Sequence, residues 1–139
     1  MSGRQAAWTI RLTDSAETDF RNIVRWSAGQ FGQRQATAYA KTLSHALQEL
    51  MAGPTVPGTR VRDDILPGLR SLHVARNRRK GRHFVLFRVS ATHAQCIDVL
   101  RILHDAMDLP RHFWRLLRIT ARTTPPSPIM SLRHLRESA

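Results

Sequence analysis

With 139 residues the chain has room for one compact domain of ordinary size, which excludes a large two-domain enzyme. Lysine and arginine total 22 against 10 acids, and the resulting net charge of +12 points to an anionic partner: nucleic acid, an acidic protein or a membrane surface. An apolar content of 42% marks a folding domain, and the single cysteine, Cys96, excludes an internal disulfide and any multi-cysteine zinc site while fitting a reducing compartment.

The opening "MSGRQAAWTIRL" lacks the continuous apolar core of a signal peptide, and no stretch approaches the roughly 20 apolar residues of a membrane span, so a soluble cytoplasmic protein is expected. In "AWTIRLT" (7–13), Trp8, Ile10 and Leu12 fall at every second position, the period of a half-buried strand. Asp14 then offers a helix cap, with Glu17 three residues on to complete a capping box. Along the helix Ala16, Phe20, Ile23, Val24, Ser27 and Phe31 form one apolar stripe, and Trp26 lies off it.

Gly32 interrupts, and a second amphipathic helix follows through Ala36, Tyr39, Ala40, Leu43, Leu47 and Leu50, ended by Gly53 and Pro54. So short a link predicts an antiparallel helical hairpin. Residues 53–68, with three prolines and three glycines, read as an irregular loop. Three strands are expected at 69–76, 82–90 and 95–103, and their short connections favour an antiparallel meander. The expected fold is α+β: an N-terminal strand, the hairpin, and the meander completing one sheet with the helices on one face.

Residues 108–119 predict a short C-terminal helix capped by Asp108. A domain over 1–114 is therefore expected, followed by a basic extension over 115–139 that lies outside the core. That extension holds five arginines against one glutamate, so residues 1–114 keep 17 basic and 9 acidic residues, and the folded part is basic without it.

Walker, Rossmann, zinc-protease and nucleophile-elbow patterns are absent from the sequence, and its seven histidines have no metal-ligand spacing, so neither cofactor nor metal is expected. The late strands carry the more informative feature. Strict alternation puts Ile97, Val99, Arg101 and Leu103 on one face and Asp98, Leu100, Ile102 and His104 on the other, so both faces are largely apolar yet interrupted by Arg70, Arg88 and Arg101. Either these arginines pair with Asp98 or Asp105 or snorkel to the sheet's edge, or they form a guanidinium cluster on the face away from the hairpin, ready for phosphates or an acidic peptide. The turn "RNRRKGR" places Arg76, Arg78, Arg79, Lys80 and Arg82 in seven residues as a basic target-binding patch.

The segments "LTDSAETDFRNIVRWSAGQFGQRQATAYAKTLSHALQEL", "PGLRSLHV", "HFVLFRV" and "VLRILHDAMDLPRHF", in that order, resemble the ParE branch of the RelE/ParE toxin superfamily over about residues 8–114. The resemblance implies the toxin half of a bacterial type II toxin–antitoxin pair, of the kind associated with plasmid stabilisation, neutralised by an acidic, ParD-like antitoxin. RelE-like members cut mRNA on the ribosome, whereas ParE-like members poison DNA gyrase by binding. Cleavage by a ribose 2′-hydroxyl needs an acid, a base and cations at one phosphate. Arg70, Arg82, Arg88 and Arg101 supply cations and His104 is the one acid or base, but Phe113 and Trp114 stand where a RelE-like tyrosine would be sought. The resemblance therefore favours the gyrase-directed toxin, with direct nucleic-acid contact left open and Trp26 as a candidate antitoxin contact. The endonuclease is the alternative, and an inactive relic is a third reading.

Overall fold

The computed structural model describes residues 7–107, 109 and 130–131. The N-terminal strand β1 (Thr9–Leu12) buries Ile10 and Leu12 and turns Thr9 outward, as its alternation requires. It leads into α1 (Asp14–Phe31), which reverses at Gly32 into α2 (Gln33–Glu49). The reversal takes one residue because Gly32 holds φ at +93°, a conformation that side-chain-bearing residues rarely adopt. A 3-10 turn (Leu50–Ala52) ends the hairpin.

The loop expected over 53–68 is not wholly irregular. It contains β2 (Arg60–Val61), a two-residue strand paired with β3 (Arg70–His73), and two residues are too few to raise a periodic signal among prolines and glycines. From β3 the chain passes antiparallel to β4 (His83–Val89) and then to β5 (Cys96–His104), the expected meander. A further short strand, β6 (Met130–Ser131), comes from the segment read on sequence as the basic extension, and it pairs with β1. The described strands form one mixed sheet in the order β2-β3-β4-β5-β1-β6, with β1 parallel to β5 and the other neighbours antiparallel. The helix expected over 108–119 lies, apart from Leu109, outside the described residues.

The hairpin packs on one face of the sheet through Phe20, Leu43, Leu47 and Leu50 against Leu72, Val85, Phe87, Ile97 and Val99. Each of these large side chains contributes roughly 1.5–3 kcal/mol relative to leaving it in water. The opposite face is not a bare surface. Phe84, Leu86, Leu100 and Leu103 gather there with Ile65 and Leu69 of the 62–69 loop and with Leu109.

Strict alternation fails on β5. The pairing steps from Leu86↔Arg101 to Phe87↔Val99, so Leu100 is an extra residue in a bulge and the side-chain parity changes beyond it. Ile97 and Val99 face the hairpin before the bulge and Ile102 after it, while Leu100 and Leu103 share the other face.

This change coincides with the end of β1, where β5 loses its parallel neighbour and the first turns of α1 take its place. The N-cap of α1 is Thr13, one residue before the expected Asp14. Its hydroxyl accepts from the Ala16 N–H at 3.2 Å and donates to the Leu100 carbonyl at 3.0 Å, so one side chain serves both helix and strand. Glu17 pairs with Arg21 instead of reaching back as a capping box. One turn on, Asp19 accepts from Arg101 Nε and Nη2 at 2.7 and 2.9 Å and from the Ile102 N–H at 2.9 Å. The two side chains are only 15% and 13% exposed, so the pair is shielded from solvent and each charge depends on the other.

Asp19→Asn is therefore expected to lower unfolding free energy by about 3 kcal/mol, because it strands a shielded guanidinium. Glu17→Gln, which removes only the pair with the well-exposed Arg21, should change it by no more than about 0.5 kcal/mol. Urea denaturation of the two variants checks this, and equal small losses would contradict the assignment.

Candidate functional site

The α1 stripe that buries Ala16 and Phe20 leaves Trp26 on its flank, 61% exposed. Phe31 does not continue the buried stripe as expected. It is the last helical residue before the Gly32 reversal, is 64% exposed, and meets Trp26 edge-on with ring centroids 5.8 Å apart.

Across from this pair, Tyr39 of α2 fixes the end of the basic turn. Its hydroxyl accepts from the Arg82 N–H at 2.9 Å and shares a 2.7 Å hydrogen bond with His83 Nδ1. A Cβ on Gly81 would collide with Val74 and crowd the Tyr39 hydroxyl, so the turn passes this point only as glycine. The result is a groove of about 570 Å3 between the hairpin and the sheet, with Ile23, Trp26, Phe31 and Tyr39 on one side and Lys80, Arg82, His83 and His104 on the other. No carboxylate is among its described lining residues.

Burial depresses the His83 pKa to about 4, and the charge of His104, whose ring lies 5.2 Å away, pushes the same way against a smaller opposing effect of Asp105. His83 is thus neutral at pH 7. Burial raises the Tyr39 phenol, so its hydroxyl keeps its proton as well. Asp105 is held below the ordinary carboxylate range by its 2.9 Å hydrogen bond to His73, and its backbone N–H donates to the Arg82 carbonyl. His104 Nδ1 accepts from the Ala106 N–H at 3.0 Å, a local structural bond.

The basic turn divides in two. Arg76 is held by Glu49 at 2.7 Å, and Asn77 donates to the same carboxylate at 2.8 Å, which anchors the turn to the end of α2. Arg78, Arg79, Lys80 and Arg82 make no ion pair with any described residue. Asn77 and Arg78 carry positive φ, which turns the chain sharply.

The remaining candidates are not brought together. Arg101 is committed to Asp19, Arg70 donates to the Pro54 carbonyl and to Thr59, and the bidding acids of the sequence reading are taken by other groups: Asp98 by Arg11 and Asp105 by His73. Arg70 and the exposed Arg88 line a second groove of about 580 Å3 with Val61, Asp63 and Val89, while Arg82 and His104 line the first. Tyr39, His83 and Phe31 are groove residues that sequence reasoning missed. The Tyr39–His83 bond spans 44 positions, so no local spacing advertises it. Among the described residues no group of three His, Cys, Asp or Glu side chains is placed to hold a metal, and no helix is long and apolar enough to cross a membrane.

A helical hairpin laid on one mixed sheet is an α+β architecture shared with a solved chain of the chromosomal ParDE toxin–antitoxin system from P. aeruginosa. That match has a TM-score of 0.58 at 20% identity and covers 72% of this chain and 98% of the solved one. The family model for the ParE toxin of the type II toxin–antitoxin system parDE matches residues 10–109. Toxin ParE1 of Mycobacterium tuberculosis, from strains CDC 1551 and H37Rv, is 33% identical over 101 residues, which cover 73% of this chain and 93% of the relative. The chain belongs to the ParE toxin family of type II toxin–antitoxin systems.

The depressed His83 gives the fold a pH signature. In the unfolded chain a histidine binds its proton near 6.5 and in the fold His83 binds it near 4, so between these values the unfolded state holds more protons and stability falls as pH drops. His83→Gln should flatten the dependence of unfolding free energy on pH across that window. Denaturation series at several pH values check it, and an unchanged slope would contradict a neutral, half-buried His83.

Proposed function

We propose that this chain is a toxin that acts by binding: it engages DNA gyrase in the cytoplasm, and an acidic, ParD-like antitoxin neutralises it by laying a segment into the groove beside Trp26. Family membership supports the toxin class. The feature that carries the antitoxin reading is the groove, where two exposed aromatic rings face Lys80 and Arg82 and no described carboxylate lines the wall. A segment that orders on binding can bury the rings while its acids meet the cations, and the net charge of +12 speeds the encounter. Arg78, Arg79, Lys80 and Arg82, unpaired among the described residues, suit the phosphates of a gyrase–DNA complex.

The division of the cations weighs against mRNA cleavage as the primary activity. Phosphodiester cleavage needs acid, base and cations within reach of one phosphate, and of the four candidate arginines only Arg82 shares a groove with His104: Arg101 is neutralised, and Arg70 and Arg88 line a different groove.

Purified protein added to a gyrase supercoiling reaction should trap DNA breaks, and added to translating ribosomes should leave mRNA intact; the reverse pattern would overturn the reading. For the antitoxin, the acidic product of the adjacent reading frame is the ligand to test. Trp26→Ala combined with Arg82→Ala should raise its Kd by about tenfold or more, measured by calorimetry. An unchanged Kd would place the antitoxin elsewhere.

A further inference from the structure

Among the described residues that the family model covers, β1 finds strand partners on one side only. Thr9 and Thr13 donate their N–H groups to the Gln95 and Val99 carbonyls on the β5 side. By the two-residue period of a strand, the N–H groups of Ile10 and Leu12 face the other way. On that side lie Met130 and Ser131, with Leu12 opposite Met130 and Arg11 opposite Ser131. Both lie beyond residue 109, where the family match ends.

Without them the β1 edge has little to discourage another strand. Proteins blunt such edges with free charges, prolines or bulges. Thr9–Leu12 contains no proline, its pairing with β5 is regular, and its one charge, Arg11, is neutralised by Asp98 at 2.9 Å. The far edge of the sheet differs: β2 is only two residues long and presents an exposed Arg60.

We propose that Met130–Ser131 form an intramolecular edge cap, which closes β1 in cis and keeps a second copy of this chain from adding its own β1 antiparallel across a two-fold axis. A tethered strand competes at an effective concentration on the order of millimolar, so it excludes the second copy at ordinary concentrations. β6 then becomes the edge, and at two residues it is too short to template further pairing.

Amide hydrogen exchange and sedimentation on the full chain test this. In the unaltered protein the Leu12 amide should be protected alongside Thr13, and the chain should be monomeric. In Met130→Pro/Ser131→Pro, which removes both β6 donors, Leu12 should exchange at least about tenfold faster with Thr9 and Thr13 unchanged, and a dimer should form at micromolar concentration. A Leu12 amide that exchanges in the unaltered chain like an exposed loop amide overturns the proposal. So does a variant with Leu12 freed that stays monomeric. If the variant unfolds, Thr9 and Thr13 lose protection too, and the unaltered chain alone decides.

Discussion

Asp19 holds three hydrogen bonds from one strand, and the relation of the hairpin to the sheet depends on them. β1 stops at Leu12, leaving the end of β5 with an unpaired N–H at Ile102 and a guanidinium at Arg101 just past the bulge. A carboxylate one turn into α1 satisfies both. The apolar packing of Phe20, Leu43 and Leu47 is strong but not directional, whereas a bidentate pair fixes the position of α1 along β5 to within a hydrogen bond's tolerance. Thr13 adds to the same junction by capping α1 while bonding the Leu100 carbonyl.

The basic character of the chain is apportioned by position. Three cations on the sheet and at the root of the turn are neutralised, Arg11 by Asp98, Arg76 by Glu49 and Arg101 by Asp19, while Arg70 is held by the Pro54 carbonyl and Thr59 and Arg88 is exposed. Those at the tip of the turn, Arg78, Arg79 and Lys80, and Arg82 at its exit, have no described carboxylate partner. Neutralised arginines set geometry, and the others project a field that is screened within about 10 Å at ordinary salt and therefore acts on partners already close. Tyr39 joins the two groups, because its hydroxyl ties the turn's exit to α2 through the Arg82 N–H and His83. The groove's cationic wall is thus anchored to the rigid hairpin that carries its aromatic wall.

Much of the architecture was legible because its signals are local and repeated. Ile10 and Leu12 alternate, Phe20 and Leu43 sit on helical stripes, Gly32 interrupts, and the short turns between the late strands admit an antiparallel meander. The misses come from features without a local period. The bulge at Leu100 reverses the face of every later β5 side chain, and nothing in "CIDVLRILH" marks it. Asp98 and Asp105 looked like the partners of Arg101 because they are near it in sequence, whereas Asp19 is 82 positions away and arrives only through the fold. Trp26 was legible as an outlier from the stripe; Phe31 was not, since a stripe does not announce where the chain reverses.

A double-mutant cycle between Asp19 and Arg101, with Asp19→Asn, Arg101→Met and the combined variant compared by urea denaturation, measures their coupling apart from the cost of each change. If this pair orders α1 on β5, the coupling should reach about 2 kcal/mol, with the double variant losing far less than the sum of the single ones. A coupling within about 0.3 kcal/mol of zero would mean that the two side chains act independently, and the hairpin would then have to be positioned by apolar packing alone.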